Sequence, residues 1–340
     1  MKRIERAPKL PGLLSLACLF FCGTAQILAN DTAVSIAAGG IQMAKDPRIS
    51  MEKERLTIGK NKVVVEYEFL NDTTSDITTE MAFPVKHFCF EGECGPPVFA
   101  DFRIWIDGVE EKYAVKAIAT LKNHDYSSVL QSMGIDIATY GHWHFMQDDN
   151  GPNYDVTKLP ENNRTKLIEL GLIDKANYAP NWDVQEIYHW KQNFPSKQII
   201  HVRHEYRPEV GYQSYMQPEL SQAHPDLCID PGLDKKLLAD NQVFRASRKF
   251  GPDNQSIDDY VQAYWVDYIL TTANNWKTPI KDFSLVLERP EREGSPYPWY
   301  VSFCWDGAVK KTDDRHYIAQ KKDFIPTKEL RIYFLTLMNQ

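Results

Sequence analysis

The sequence of 340 residues lacks the features that several classes of protein need. It has no basic excess, because 39 Lys and Arg stand against 46 Asp and Glu, and the formal net charge is -7. Proteins that bind nucleic acid usually carry a basic excess or a basic stripe, so no nucleic-acid partner is expected. With 43% hydrophobic and 25% charged residues, the composition excludes disorder, collagen and coiled coil as the main state.

Motifs for common catalytic chemistries are also missing. The sequence has no Gly-x-Ser-x-Gly nucleophile elbow. Its Ala37-Ala-Gly-Gly-Ile segment lacks the lysine of a phosphate-binding loop. A non-catalytic protein is therefore favoured over an enzyme, and no cofactor is predicted.

Long apolar runs are absent, and the longest one lies near the N-terminus. Four basic side chains precede the short apolar run Leu13–Cys22, and Ile27-Leu28-Ala29 ends the segment. This pattern predicts a cleaved secretory signal over residues 1–29, because the run is shorter than the ~20 residues of a membrane helix. A retained anchor and lipidation at Cys18 are the alternatives. The mature chain is expected to have no membrane span and to be periplasmic or secreted.

The predicted mature chain is more acidic than the full sequence. Loss of residues 1–29 removes four basic side chains and one acidic one, which takes the net charge from -7 to -10. An acidic exported protein is repelled by anionic lipids and nucleic acid. We therefore expect partners that are neutral or cationic, or bound through aromatic contacts, such as an envelope protein or a glycan.

Outside the predicted signal, four cysteines remain: Cys89, Cys94, Cys228 and Cys304. An even number of cysteines in an exported chain predicts disulfides, with three possible connectivities. A tight loop could join Cys89 to Cys94, and Cys228 and Cys304 would then close a long loop. The alternative is a zinc site, which an oxidising compartment disfavours.

Period-two alternation indicates a mainly β fold. Val63, Val65, Tyr67 and Phe69 lie two apart with glutamates between them, as in a half-buried strand. Asp107-Gly108 predicts a tight hairpin. We expect antiparallel β-sandwich-like domains with a helical insertion, and their predicted bounds are 31–118 for the first β block, 119–181 for the helical and loop insertion, and 182–340 for the second β block. The two β blocks could be separate sandwiches or one sheet system completed by both ends of the chain.

The insertion holds the candidate binding site, at Tyr140, His142, Trp143 and His144. His142 and His144 are two residues apart, so in an extended segment both face the same way, as two metal ligands require. The aspartates at 148–149 could add oxygen ligands, but no third ligand is evident. A surface or packing role is therefore favoured, and no metal site is predicted.

Three other histidines, His189, His201 and His204, and most tryptophans are expected to be structural. His201 and His204 are three apart on a predicted strand, so they face opposite sides and cannot share a metal. His189 is expected to pack across strands. Exposed Trp rings bind sugars or proteins well, but core packing is favoured. The residues considered are Trp143, Trp182, Trp190, Trp265, Trp276, Trp299 and Trp305.

A set of short motifs resembles those of the bacterial exported family DUF4424, a domain of unknown function. The motifs are Ala37-Ala-Gly-Gly-Ile, Glu66-Tyr-Glu-Phe-Leu-Asn, Ala82-Phe-Pro, Cys228-Ile-Asp-Pro-Gly, Asp267-Tyr-Ile-Leu-Thr-Thr, Asn275-Trp, Pro279-Ile-Lys-Asp-Phe and Val301-Ser-Phe-Cys-Trp-Asp-Gly. The resemblance implies an exported, periplasmic protein, and it brings no catalytic residues. It also implies cysteines at positions 228 and 304, which fits a bridge between them, whereas Cys89 and Cys94 look like an addition.

Two functional hypotheses follow from these observations. The first is a non-catalytic periplasmic binding or interaction protein that uses the aromatic loop around His142 and Trp143. The second is a cell-envelope hydrolase, possibly metal-dependent, that uses the same loop with Asp148 and Asp149. A concave pocket with two carboxylates, or with histidines and a carboxylate around a metal, would favour the enzyme.

Overall fold

The computed structural model describes residues 32–37, 40–85, 100–138, 159–176, 178–215, 220–247, 260–292 and 297–338. Within these ranges the chain forms three β-sheets and a few helices, which confirms the predicted mainly β class. None of the helices in the described part of the chain has the length and apolar character needed to cross a membrane.

The strands of the described residues are β1 Thr32–Ala37, β2 Gly40–Ala44, β3 Ile49–Gly59, β4 Val63–Asn71, β5 Ile77–Pro84, β6 Ala100–Ile106, β7 Val109–Glu111, β8 Ala114–Leu121, β9 His124–Asp125, β10 Asp183–Phe194, β11 Ile199–Arg207, β12 Gly211–Tyr215, β13 Tyr260–Tyr268, β14 Ile280–Glu288, β15 Tyr300–Phe303, β16 Val309–Lys311, β17 His316–Phe324 and β18 Leu330–Met338. The helices are α1 Ser127–Ser132, α2 Glu161–Glu169, α3 Leu220–Ala223 and α4 Pro231–Ser247, with 3₁₀ turns at Pro225–Leu227 and Thr271–Asn275.

An eight-stranded sheet is the centre of the fold, with the order β16-β17-β14-β3-β4-β11-β6-β7. Its strands β3, β4, β6 and β7 come from the early part of the chain, and the other four come from after residue 182. Neighbours are antiparallel except β14 and β3, which run parallel. Parallel neighbours need a long connection, and here the chain between β3 and β14 supplies it.

Two smaller sheets cover the buried face of this central sheet. The six-stranded sheet, ordered β2-β1-β5-β10-β8-β9, packs over one half: Trp190 of β10 lies with its ring centroid 5.3 Å from that of His204 on β11. The four-stranded sheet, ordered β12-β13-β18-β15, packs over the other half. There the hydroxyl oxygens of Tyr67 on β4 and Tyr268 on β13 are 3.0 Å apart. Each of the two smaller sheets thus covers one half of the central sheet.

Local sequence patterns are reproduced closely in β4 and the β6–β7 hairpin. Val63, Val65, Tyr67 and Phe69 are all buried, and the residues between them are half-buried or exposed. At the hairpin, Asp107 has φ 49° and Gly108 has φ 83°. A two-residue type I′ turn requires positive φ at both positions, which explains the Asp-Gly pair.

The predicted insertion contains short helices, as expected. The Asp125 carboxylate accepts a hydrogen bond from the Ser127 backbone N–H at 2.8 Å, at the start of α1. Both helices end before a glycine of positive φ, Gly134 at 72° and Gly171 at 71°. Such glycines stop helices because they adopt the left-handed conformation without a Cβ clash.

Some element bounds differ from the predicted ones. Alternating aromatic and aliphatic residues predict a strand over Tyr260–Thr271. The strand ends at Tyr268, because the Glu329 carboxylate accepts the Leu270 N–H at 2.8 Å and a 3₁₀ turn follows. The sequence predicts a short helix over Pro231–Asp240, and the helix continues to Ser247. It also predicts Tyr113 on the return strand of the Asp107 hairpin, but that strand ends at Glu111.

Cys228 and Cys304 form a disulfide, with their Cα atoms 5.2 Å apart and a sequence separation of 76. This confirms the pairing that the family resemblance implied. The bridge joins the end of the 3₁₀ turn at Pro225–Leu227 to the residue after β15. Cys89 and Cys94 lie outside the described residues, so their pairing stays a prediction.

Gly211 is required by the close approach of an indole ring. It pairs with Trp265 across β12 and β13, and a Cβ at this position would lie 2.2 Å from the Trp265 ring. Replacing Gly211 by alanine is expected to cost about 1–3 kcal/mol in unfolding free energy, as overpacking does. Gly59→Ala is the control, since its Cβ would meet its nearest neighbour at an ordinary 3.4 Å. Equal urea midpoints for the two variants would contradict this assignment.

Candidate functional site

The predicted binding loop cannot be placed in the fold. Tyr140, His142, Trp143 and His144 lie outside the described residues, as do the aspartates at 148–149. Their proposed roles stay predictions. Among the residues that the structure does describe, no three His, Cys, Asp or Glu side chains are grouped to hold a metal ion.

The other histidines have the structural positions expected of them. His204 is completely buried, and its ring packs edge-on against Phe83, Phe102 and Trp190. His201 is exposed on the opposite face of β11. The His189 Nδ1 lies 2.6 Å from the Glu80 carboxylate, so His189 forms a polar contact across β10 and β5 in addition to its packing.

The tryptophans divide between the core and the surface. Trp182, Trp190 and Trp276 are buried, as predicted for core residues. Trp105, which the sequence argument did not single out, is half-buried on β6. The guanidinium carbons of Arg103 and Arg203 lie 4.6 and 4.4 Å from its ring centroid. These cation–π contacts occupy the Trp105 ring.

A cleft of about 560 Å³ opens at one end of the central sheet. It lies between the β3–β4 hairpin, the chain that follows β14, the start of β17 and Trp299 before β15. Its lining carries five basic and two acidic side chains, and we call it the basic cleft. These side chains are Lys60, Lys62, Arg289, Arg292, Arg315, Glu288 and Glu291.

Both acidic residues of the basic cleft form ion pairs with the same arginine. The Arg315 guanidinium contacts Glu288 and Glu291. Arg315 is also held by the backbone, because its Nε donates to the Arg289 carbonyl at 3.3 Å. The carboxylates therefore position Arg315, and with five basic and two acidic side chains the lining keeps a formal charge of +3.

Lys62 is paired with a glutamate outside the lining. Its Nζ lies 2.9 Å from the Glu205 carboxylate of β11. Burial of Glu205 opposes ionisation, but hydrogen bonds from Lys62 and Arg203 outweigh it and lower the pKa of Glu205. Glu205 therefore stays ionised near neutral pH, and Lys62 is held at the mouth of the hairpin.

Two arginines of the basic cleft have no carboxylate partner within the described part of the chain. No carboxylate among the described residues forms an ion pair with Arg289 or Arg292. Arg289 donates weakly from Nη1 to the Trp299 carbonyl at 3.4 Å. Its Nε is buried and has no hydrogen-bond acceptor in the described part of the chain. A buried donor without an acceptor is costly. Guanidinium groups form strong charge-assisted hydrogen bonds with anions, so these two arginines could bind an anion that enters the cleft.

Lys60 is held at the rim of the cleft by aromatic rings. Its Nζ lies 4.4 Å from the Tyr264 ring centroid and 5.0 Å from that of Trp299. The hairpin that presents it is closed by a hydrogen bond of 2.8 Å from the Gly59 N–H to the Lys62 carbonyl. This cation–π contact places the ammonium at the rim of the cleft.

Sequence reasoning did not find the basic cleft. Its basic residues come from a hairpin at 60–62, from the chain after β14 and from the start of β17. These segments have no regular spacing in the sequence, so no motif connects them. The net charge of the whole chain is negative and gives no indication of a local positive site. The available local signal was the Arg289-Pro-Glu-Arg segment directly after a predicted strand.

A second cleft of about 620 Å³ is lined by the Cys228–Cys304 disulfide, Phe303, Trp305 and Phe324. Two lysines and two carboxylates line it, so its formal charge is zero, and they are Lys321, Lys328, Asp306 and Glu329. Lys321 pairs with Asp306 and lies 4.6 Å from the Trp305 ring centroid. This cleft therefore offers less uncompensated charge to a ligand than the basic cleft does.

Together, the fold and the basic cleft define a disulfide-bonded, mainly β protein with a positively charged inter-sheet cleft. The chain belongs to the DUF4424 family, a domain of unknown function, whose family model matches residues 29–333. No curated protein matches the sequence.

Among solved structures, the chain matches a candidate nutrient-binding protein from Legionella pneumophila. It is 13% identical with a TM-score of 0.40, and the match covers 91% of this chain and 70% of that one. A likeness this distant carries no inference about ligand or activity.

Proposed function

We propose that this protein is an exported, non-catalytic binding protein and that its basic cleft binds a small anionic ligand. The observation that carries the proposal is the pair Arg289 and Arg292, which face no carboxylate partner among the described residues, in a lining whose two glutamates are both paired with Arg315. A cleft with a net positive charge concentrates anionic ligands.

Export is supported by two independent features. The N-terminal sequence has the basic and apolar pattern of a secretory signal. The Cys228–Cys304 bridge is of a kind that persists in oxidising compartments. Both features are compatible with a periplasmic protein that meets its ligand outside the cytoplasm.

The fixed geometry of the basic cleft suits binding. Lys60 is held by two aromatic rings, Lys62 by Glu205 and Arg315 by two glutamates. Positive groups that are already positioned lose little side-chain entropy when an anion binds. Guanidinium groups also match carboxylate and phosphate oxygens in a bidentate manner.

The first test is a calorimetric titration of the purified protein with citrate and with inorganic phosphate. Replacing Arg292 by alanine is expected to weaken binding of either anion by about 10- to 100-fold, since a charge-assisted hydrogen bond contributes about 1.5–3 kcal/mol. Arg292 is exposed, so the variant should fold normally. Affinity is also expected to fall as salt is added.

Arg55→Ala is the matched control, because Arg55 is an exposed arginine on β3 that does not line the cleft. This variant should bind the anions as the unaltered protein does. Absence of saturable binding for both anions, or an equal loss in the two variants, would refute the cleft as an anion site.

A further inference from the structure

A row of three aromatic rings extends from the basic cleft along the four-stranded sheet. Tyr212 of β12 and Tyr264 of β13 are cross-strand partners with ring centroids 6.5 Å apart. The Trp299 ring lies 5.6 Å beyond Tyr264. Tyr212, at the outer end, is 72% exposed, which is high for a large aromatic side chain. We call these three residues the aromatic row.

The aromatic row and the basic cleft meet at Lys60. Its ammonium lies over both Tyr264 and Trp299, and Lys60 and Trp299 also line the basic cleft. A ligand bound on the exposed face of Tyr212 would therefore point one end toward the positive side chains. An exposed apolar ring beside a charged cleft is the arrangement expected for a ligand with both a flat apolar face and an acidic group.

We propose that the ligand is an acidic saccharide, with one sugar ring lying on Tyr212 and a carboxylate or other acidic group in the basic cleft. This rests on the proposed function and names its ligand class. One face of a pyranose ring presents mainly C–H groups, which pack on an aromatic ring and lose water as they do so. Its hydroxyl groups need polar partners, and Asn61 in the lining of the cleft supplies an amide that both donates and accepts.

The ring geometry favours a sugar over a nucleotide. The Tyr212 and Tyr264 planes are inclined at 41°, and those of Tyr264 and Trp299 at 51°. Such tilted neighbours leave no parallel slot in which a planar base could stack between two rings. A puckered sugar ring needs a single aromatic face, and the exposed Tyr212 ring provides one.

The test is a calorimetric titration of the full protein with trigalacturonic acid, maltotriose, citrate and adenosine monophosphate. Trigalacturonic acid is expected to bind more tightly than citrate, and maltotriose is expected to bind weakly. Replacing Tyr212 by alanine should lower the affinity for trigalacturonic acid about threefold to tenfold and leave the affinity for citrate unchanged. Tyr212→Phe keeps the ring and should bind as the unaltered protein does.

The outcomes separate the two proposals. In one outcome, Arg292→Ala weakens citrate binding, but trigalacturonic acid binds no more tightly than citrate and Tyr212→Ala does not change its affinity. This outcome would overturn the saccharide assignment and leave the anion site supported. The acidic saccharide is also overturned if adenosine monophosphate binds more tightly than trigalacturonic acid, or if maltotriose binds as tightly as trigalacturonic acid. If none of the anions binds, both the anion site and the saccharide assignment are refuted. Because Tyr212 is exposed on the edge strand β12, unchanged thermal stability will show that the variants fold.

Discussion

Replacing Phe69 by alanine is expected to lower the free energy of unfolding by about 3–5 kcal/mol. Phe69 is completely buried on β4, and its ring centroid lies 4.8 Å from that of Trp276 and 6.0 Å from that of Phe194. Phe194 belongs to β10 of the six-stranded sheet, so Phe69 packs the central sheet against its cover. Truncation would leave a cavity that the two rigid rings of Trp276 and Phe194 cannot fill.

Leu70→Ala is the neighbouring control for Phe69→Ala. Leu70 is half-buried and lies on the opposite face of β4, so its loss should cost less than about 1.5 kcal/mol. Urea denaturation followed by tryptophan fluorescence measures both variants, because Trp276 lies beside Phe69. If the two variants were equally unstable, Phe69 would not join the sheets as described.

Removing the Cys228–Cys304 bridge by a double serine substitution is expected to cost about 4 kcal/mol. The bridge closes a loop between residues 76 apart in sequence, and a cross-link of that length restricts the unfolded chain strongly in the chain-entropy account. The double variant should still fold. Leu227 next to Cys228 is completely buried, and its carbonyl accepts a hydrogen bond from the Ser302 hydroxyl at 2.7 Å.

The double substitution of Cys89 and Cys94 by serine is the comparison for the long bridge. These cysteines are close in sequence, so a bond between them would close a much shorter loop and contribute at most about 2 kcal/mol. Denaturant titrations without reductant compare the pairs, and non-reducing peptide mapping should recover a peptide that links Cys228 to Cys304. If the double variant of Cys228 and Cys304 were as stable as the unaltered protein, the expected contribution of the bridge would be contradicted.

Local patterns in the sequence predicted most individual elements correctly. The alternation at Val63–Asn71 became β4, and the Asp107-Gly108 pair became a two-residue turn with both φ values positive. These features depend on side-chain period and on the conformations that single residues allow, so neighbouring residues determine them. The strand after Tyr260 was predicted too long because a distant carboxylate, Glu329, captures the backbone where it ends.

The sequence by itself determined the class of fold, the position of most strands and the separation of the histidines His201 and His204 onto opposite faces. Only the tertiary structure decided that early and late strands share one central sheet, because the parallel pairing of β3 with β14 joins residues more than two hundred positions apart. The same long-range pairing brings Lys60 and Arg289 together, and the four-stranded sheet brings Tyr264 against Lys60. Contacts between such distant segments depend on which sheet edges meet, and no local periodicity encodes that choice.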